Sequence, residues 1–267
     1  TIPSEVGKLS ALTLLYFYNN VLSGTIPSVV GSLDSLRVLD VHNNDLSGSI
    51  PAQVGNLASL RELFLNNNDI SGSIPSQIGN LAALTDLFLN NNVLSGSIPS
   101  EVGNLGALFR LSLHHNVLSG SIPSEIGNLS SLETLALNGN AISGRLPTEI
   151  GLLGGLSYLN LGHNLLNGTL PSEIGLLTNL KVLNLGGNQL SGLPTEVLQL
   201  TNLTQLEPSG NLFSEAELDN TMVALGVIFS CNKTTVEMVL TTNCWSAETS
   251  WEVATEVVAF VASGGGY

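Results

Sequence analysis

The sequence predicts an α/β solenoid, in which short strand-and-turn units are stacked rather than folded around one globular core. Three residue types recur with a period of 24 positions. The proline column is Pro3, Pro27, Pro51, Pro75, Pro99, Pro123, Pro147 and Pro171, with Pro194 one residue early. The glycine column is Gly7, Gly31, Gly55, Gly79, Gly103, Gly127, Gly151 and Gly175. The asparagine column is Asn20, Asn44, Asn68, Asn92, Asn116, Asn140, Asn164 and Asn188, then Asn211 after the same deletion. A stack of identical units requires such a strict period, and a single core does not.

Each unit contains one short strand whose side chains alternate. In the unit of residues 122–145, the segment from Leu132 follows the pattern L-x-x-L-x-L-x-x-N-x-L. Because successive strand side chains point to opposite faces, the leucines of this segment face the core. The residues between them, such as Thr134 and Asn138, face outward on the concave side.

The three columns have different expected roles. The asparagine amide can satisfy backbone groups of the turn in its own unit and in the next one. Proline cannot donate a hydrogen bond, so we expect it at a turn or at the start of a short helical segment. Glycine allows a close approach, or a backbone conformation, that a side chain would block.

The repeats resemble the plant-type class of extracellular leucine-rich repeats, whose marker is an L-S-G-x-I-P stretch after the asparagine. The stretch occurs, with small changes, at residues 22–27, 46–51, 70–75, 94–99, 118–123, 142–147 and 166–171. The resemblance covers residues 1 to about 213. It implies a right-handed superhelix with a parallel concave β-sheet, a second short strand beside that sheet, and short helical turns on the convex side. The class includes receptor-kinase ectodomains and secreted inhibitors of polygalacturonases.

The repeats divide the chain into a solenoid of about nine units over residues 1–213 and a non-repeating segment over residues 214–267. The resembling proteins begin with a cysteine-bearing cap, whereas this sequence begins within a repeat. We therefore expect a fragment, a trimmed protein, or a first unit covered by another molecule. Pro208 occupies an inward strand position of the ninth unit and indicates that the sheet ends there.

The segment after residue 213 is interpreted as a C-terminal cap on the last unit or as an assembly surface. Ser214 with Glu217 resembles a capping box ahead of the apolar run 222–229. Thr249 with Glu252 is a second such pair, followed by apolar residues at helical spacing. The β-branched content of residues 253–261 favours a strand almost equally.

The charge of the chain argues against nucleic acid and anionic membranes as partners. The formal net charge is −14, and only 10% of the residues are charged. Nucleic-acid and anionic-lipid surfaces attract basic patches, which this composition does not supply. Glutamates recur two residues after the proline, as in Glu101 and Glu125. They form either a solvated edge or a cation-binding ridge, and we favour the edge because a calcium site needs six or more converging oxygens.

The sequence contains no motif for catalysis, phosphate binding or a cofactor, so we expect a non-enzymatic protein without a metal. Its histidines are His42, His114, His115 and His163. His114 and His115 are adjacent, but consecutive strand side chains diverge, which argues against a shared metal.

Cysteines and glycosylation motifs favour a secreted or cell-surface protein. Cys231 and Cys244 form either a disulfide or two buried free thiols, and we expect the disulfide because N-x-S/T sequons accompany it. The sequons begin at Asn128, Asn167, Asn202 and Asn232.

The concave face is the predicted ligand-binding surface. Its first half is aromatic and charged, and its second half is small and mostly neutral. The candidate residues are Tyr16, Tyr18, Asp40, His42, Glu62, Phe64, Asp86, Phe88, Arg110 and His114. Exposed aromatic residues beside charges resemble an interaction hot spot. Ordinary β-propensity also explains them. We favour binding of a protein, peptide or glycan.

Two alternatives stay open. The first is a structural protein that forms head-to-tail homo-oligomers or filaments. It would join its first unit, through Leu12 and Phe17, to C-terminal aromatic residues of the next copy. Those C-terminal candidates are Trp245, Trp251 and Phe260. A bare first unit would also expose Leu9 and Leu15. The second alternative is ice or crystal-surface binding, suggested by regular Asn and Ser/Thr columns.

Overall fold

The computed structural model describes residues 1–218, 221, 227–232 and 235–240. The repeats form stacked units, which we number from the N-terminus. Units 1 to 9 are residues 2–25, 26–49, 50–73, 74–97, 98–121, 122–145, 146–169, 170–192 and 193–213. In this part of the chain, no helix has the length and apolar character needed to span a membrane.

Each unit contributes one strand to a parallel concave sheet. These strands are Leu14–Tyr16, Val38–Asp40, Glu62–Phe64, Asp86–Phe88, Arg110–Ser112, Thr134–Ala136, Tyr158–Asn160, Val182–Asn184 and Gln205–Glu207. Equivalent residues of consecutive units lie side by side, as Phe64 does with Phe88. The register therefore aligns outward side chains into columns along the sheet.

The convex side is formed by one short 3₁₀ helix per unit. These helices are Ser4–Lys8, Ser28–Ser32, Ala52–Asn56, Ser76–Asn80, Ser100–Asn104, Ser124–Asn128, Thr148–Leu152, Ser172–Leu176 and Thr195–Gln199. Each begins directly after the column proline, whose φ lies between −74° at Pro3 and −67° at Pro171. The pyrrolidine ring of proline constrains φ to this region. The predicted place of proline at the start of a helical segment is confirmed.

A second set of short strands runs along the flank between the concave and convex sides. One sheet contains Ser23–Gly24, Asp45–Ser49, Asp69–Ser73, Val93–Gly96 and Val117–Leu118, and another contains Ser143–Gly144, Leu165–Thr169 and Gln189–Gly192. Backbone hydrogen bonds continue across the gap between these sheets, since the Ser143 N–H donates to the Gly120 carbonyl at 2.7 Å. The second strand implied by the repeat motif is confirmed.

A continuous aliphatic core runs through the units. Inward strand residues such as Leu39, Leu63 and Leu87 are fully buried. Each such side chain contributes about 1.5–3 kcal/mol on burial, which must offset the entropy of ordering its unit.

The first unit is more enclosed than expected. Leu15 is only 6% exposed, and Leu12 and Phe17 pack against the core, whereas Leu9 is 53% exposed. The prediction that Leu15 is exposed is therefore wrong. Leu15 lies in the strand Leu14–Tyr16, which pairs with Val38–Asp40 of unit 2, and its side chain belongs to the same core as Leu39.

The buried asparagines tie each unit to the preceding one. In unit 4, the Asn92 Nδ2 donates to the carbonyls of Leu89 at 3.1 Å and Leu65 at 3.0 Å, and its Oδ1 accepts from the Ile70 N–H at 2.9 Å. The asparagine was predicted to bond the backbone of its own unit and of the next one. The second part of that prediction was wrong, because the partner is the preceding unit. The carbonyl of Leu65 also accepts from Asn68 in its own unit at 3.1 Å. The Leu65 carbonyl therefore points along the stack toward the following unit, where the Asn92 amide donates to it.

The glycine column allows the convex turns to pack closely. A Cβ added at Gly103 would lie 2.6 Å from the Cβ of Glu125 and closer still to the Glu125 carbonyl oxygen. That separation is shorter than any normal contact, so the predicted close approach is confirmed.

The parallel ladder ends at Gln205–Glu207, but the sheet continues. An antiparallel strand, Thr235–Leu240, pairs with it through Gln205 and Val239, and Val227–Asn232 completes an 11-stranded sheet in the described part of the chain. The prediction that the sheet ends at Pro208 was therefore wrong, because residues beyond the solenoid add antiparallel strands to its edge.

The predicted capping box at Ser214 is confirmed. The Ser214 N–H donates to the Glu217 carboxylate at 2.8 Å, and the Glu217 N–H donates back to the Ser214 hydroxyl at 3.3 Å. Residues 215–218 are helical. The last residues of the apolar run 222–229 are not helical, because residues 227–229 are in the strand Val227–Asn232. Val, Ile and Phe favour strands, and the sheet edge offers them a partner. The second box at Thr249 and Glu252 lies outside the described residues.

Gly103→Ala is expected to destabilise the solenoid by about 1–3 kcal/mol, because the added methyl overlaps backbone of the next unit. Gly106→Ala in the same unit is the matched control, since a Cβ there meets no atom within 4 Å. The control should be neutral or slightly stabilising. Urea unfolding followed by circular dichroism measures both. Equal midpoints for the two variants would contradict the close-packing argument.

A candidate ligand-binding face on the concave sheet

The register brings the predicted binding residues together on one face. Tyr16, Asp40, Phe64 and Phe88 are consecutive members of one outward column. Glu62, Asp86 and Arg110 are consecutive members of the neighbouring column. Tyr16, Phe64 and Phe88 therefore share one column, as their 24-residue spacing requires.

Units 1 and 2 carry an exposed aromatic cluster. The ring of Tyr18 stacks on His42 with centroids 5.0 Å apart and contacts Tyr16 edge-on at 6.0 Å. The His42 Nδ1 lies 2.5 Å from Asp40 Oδ1, and Asp40 is only 5% exposed. The buried carboxylate orients the imidazole, which in turn supports Tyr18. Tyr16 and Tyr18 keep 51% and 44% of their surface exposed, so this cluster can offer apolar area to a ligand.

Units 3 to 5 carry a second cluster around two phenylalanines. The rings of Phe64 and Phe88 are 5.1 Å apart. The Arg110 guanidinium lies over the Phe88 ring at 5.3 Å, and its Nε donates to the Asp86 carboxylate. The Thr85 hydroxyl donates to the other Asp86 oxygen at 2.9 Å. Asp86 is 7% exposed, so its charge is compensated within the face.

Glu62 and two amides border the phenylalanines without partners of their own. Among the described residues, Arg110 forms an ion pair with Asp86 and His42 contacts Asp40, and Glu62 takes part in neither contact. Asn66 and Asn90 follow the two Phe-bearing strands, and their amides form no hydrogen bond within the described residues; Asn66 is half-buried, whereas Asn90 is only 8% exposed. The Glu62 carboxylate and the Asn66 amide are thus accessible to a ligand.

His114 is at the end of this half of the face. Its Nδ1 lies 2.8 Å from the Ser112 hydroxyl. Burial of the ring lowers the His114 pKa below 6.5, and repulsion from His115 lowers it further. The two rings are 5.2 Å apart and meet edge-on, so the expected divergence of His114 and His115 is wrong. The strand ends at Ser112, and His115 has a left-handed φ of 52°, so strand alternation does not apply there.

The second half of the concave face satisfies its polar groups internally. Asn160 donates to the Tyr158 hydroxyl at 3.1 Å and accepts from the Gly162 N–H at 3.1 Å. Asn184 likewise accepts from the Gly186 N–H at 2.9 Å. This half offers a ligand fewer free groups than units 1–5 do.

An exposed amide ladder was not found from the sequence. Asn43, Asn67 and Asn91 each donate from Nδ2 to the Oδ1 of the asparagine one unit earlier, at 2.6 Å, and the ladder begins at Asn19. These residues have left-handed φ angles of 53° to 56°, which asparagine tolerates. The repeated Asn-Asn dipeptide was the available signal. The second asparagine of each pair belongs to the structural column, and the first forms the ladder.

The structure places some of the predicted glycosylation, disulfide and assembly residues and does not test their roles. Asn128, Asn167 and Asn202 are exposed, and the Asn202 amide donates to the Thr178 carbonyl at 2.8 Å. Asn232 ends the strand Val227–Asn232, which also contains Cys231. The residues outside the described ranges are Cys244, Trp245, Trp251 and Phe260. Glycan attachment, the disulfide and the assembly contacts stay predictions. In the described ranges, no group of three His, Cys, Asp or Glu side chains is arranged to hold a metal.

These features define a repeat scaffold with a candidate binding surface on its concave sheet. A model described as a leucine-rich repeat region matches residues 35–138, and the leucine-rich repeat model matches residues 131–153, 155–177 and 179–200. The chain therefore belongs to the leucine-rich-repeat family, and its repeats are of the plant type. A search of the curated proteins gives no match.

Solved structures with the same architecture include plant receptors. The Arabidopsis receptor kinase HAESA, in complex with the peptide hormone IDA and the co-receptor SERK1, is 37% identical with a TM-score of 0.78, over 82% of this chain and 37% of that one. The plant peptide hormone receptor RGFR1, in complex with RGF2, is 37% identical with a TM-score of 0.70, over 79% of this chain and 38% of that one. The chain thus spans little more than a third of these receptors. A plant ice-binding protein is 29% identical with a TM-score of 0.59, over 80% of this chain and 76% of that one.

His114→Asn should reduce the loss of stability on acidification. Because the folded His114 has a pKa below 6.5, the unfolded chain binds more protons between the two pKa values, and stability falls as the pH drops through that window. Asparagine, found at the equivalent positions 66, 90 and 138, removes this effect. Urea unfolding between about pH 7.5 and about pH 5.5 measures it. His163→Asn, at an exposed turn, is the control. Equal pH dependence in wild type and His114→Asn would contradict the assignment.

Proposed function

We propose that this chain is a non-enzymatic recognition scaffold that binds a peptide or protein outside the cell through units 1–5 of its concave face. The observation that carries the proposal is the pair of aromatic clusters, Tyr16–Tyr18–His42 and Phe64–Phe88–Arg110, aligned on one face. Exposed aromatic residues beside ordered charges are the usual composition of binding hot spots. Similarity to receptors solved with peptide hormones supports the same reading.

An extended peptide segment fits the dimensions of this face. Five adjacent strands spaced about 4.8 Å apart span about 19 Å, which an extended chain of about six residues covers. The amide of Asn66 can hydrogen-bond peptide groups, while the rings of Phe64 and Phe88 accept apolar side chains. Sugars would stack on the same rings, so a glycan is the competing ligand class.

Phe64→Ala combined with Phe88→Ala should weaken ligand binding by at least about tenfold, because the rings form the centre of the contact surface. The measurement uses peptides selected from a displayed random library against the full chain, with affinities from calorimetry. Tyr158→Ala, in unit 7 of the same sheet, is the control and should leave affinity unchanged. Circular dichroism should show the fold intact in both. Unchanged affinity in the double variant would refute binding at this face.

A second candidate function is ice binding. It is favoured by the amide ladder Asn19–Asn43–Asn67–Asn91, whose 2.6 Å hydrogen bonds hold exposed amides at the regular spacing of the units, and by similarity to a plant ice-binding protein. Thermal hysteresis of the purified chain should then be measurable, and Asn43→Lys with Asn67→Lys should abolish it by breaking the ladder. Asn80→Lys, exposed on the convex side, is the control. A wild-type chain without hysteresis would exclude this function.

Head-to-tail self-assembly stays a prediction. Leu9 and Val21 are 53% and 86% exposed in unit 1, which offers an apolar end surface, but the C-terminal residues that would meet it lie outside the described ranges.

A further inference from the structure

Unit 4 shows how this face holds a cationic side chain. The acidic Asp86 and the aromatic Phe88 are two residues apart on one strand, so both point outward on the same side. Arg110, on the next strand beside Asp86, places its guanidinium over the ring and bonds the carboxylate. The cation thus contacts an anion and a π-face together, which stabilises it more than either group alone.

The same acid–aromatic pair recurs one strand earlier. Glu62 lies beside Asp86, and Phe64 lies beside Phe88, in strict register. Arg110 lies beside Asp86 on the following strand and supplies the cation for the pair Asp86–Phe88. The residue in the same position relative to Glu62 is Asp86 itself. Asp86 is acidic and already bonded to Arg110. Glu62 and Phe64 therefore repeat the cation-holding arrangement without an internal cation.

The half-buried charge of Glu62 and the net charge of the chain favour a positive ligand group. Two exposed arginines, Arg37 and Arg61, immediately precede the strands of units 2 and 3 and act against it, since neither forms an ion pair within the described part of the chain. Glu62 is half-buried, so its charge is less well solvated than one on the outer surface. The chain as a whole has a formal charge of −14, which attracts cationic partners over long range.

We propose that Glu62 and Phe64 form a subsite for a basic side chain of the ligand, with the guanidinium of arginine preferred to the ammonium of lysine. A guanidinium can stack on the ring and bond a carboxylate through two N–H groups, whereas an ammonium is a compact, strongly hydrated charge. This inference rests on the proposed function, since it names one chemical feature of the ligand that units 1–5 would bind.

A double-mutant cycle tests the subsite. Displayed random peptides are selected on the wild-type chain and counter-selected on the Phe64→Ala, Phe88→Ala variant. Selected peptides should share an arginine or lysine. Glu62→Gln, and replacement of the peptide's arginine by its neutral isostere citrulline, should each weaken binding by about ten- to a hundredfold. Applied together they should weaken it little more than either alone. Glu133→Gln is the control, because it removes the same charge from an exposed position in unit 6. It should leave the affinity within about twofold of the wild-type value.

The outcomes separate the subsite from the function that it serves. Peptides that depend on Phe64 and Phe88 but contain no basic residue, or show additive effects in the cycle, would overturn the subsite and leave peptide recognition standing. A selection that yields no peptide able to distinguish wild type from the Phe variant would overturn both. Non-additive losses at Glu62 and the peptide's arginine would establish the subsite.

Discussion

The solenoid depends on one interaction, repeated in units 2 to 9, between an asparagine amide and the backbone of two consecutive units. An unpaired buried N–H or carbonyl costs about 1–3 kcal/mol, and the turns of a stacked coil leave several such groups in every unit. Asn92 satisfies two carbonyls and one N–H in a single side chain. The interaction tolerates the one-residue deletion in unit 8, because Asn211 still accepts from the Leu190 N–H at 2.9 Å. The hydrogen bonds around the amide are therefore kept even where the number of residues in the unit changes.

This constraint explains why the interior varies so little and the concave face so much. Leucines and asparagines of the interior must repeat if each unit is to dock on the last. Outward strand positions contribute little to docking, so they are free to carry function. In units 6–8 they are small or bonded internally, and in units 1–5 they carry aromatic rings and charges. The asymmetry along a regular scaffold is the strongest indication that the first half has a ligand.

Within that half, charges are arranged so that most are already compensated. Asp40 orients His42, and Asp86 is bonded to Arg110 and Thr85, so both carboxylates support neighbouring rings. Glu62 has the same place relative to Phe64 but no such partner. Asp86 and Glu62 occupy equivalent positions on neighbouring strands, and only Asp86 is paired, so Glu62 is the acid that is left to bind a ligand.

The sequence by itself determined the architecture, because a strict period specifies which residues face inward and which columns they form. The concave sheet, the proline-started turns, the close glycine contacts and the column of Tyr16, Phe64 and Phe88 all follow from it. Tertiary structure alone decided contacts between units and at irregular places. The asparagines bind the preceding unit rather than the next, His115 turns back toward His114, and residues 227–229 join the sheet. It also decided that Asp86 is paired and Glu62 is not. A repeat pattern specifies the position of a side chain along the stack, whereas its partner depends on distances that only the folded backbone sets.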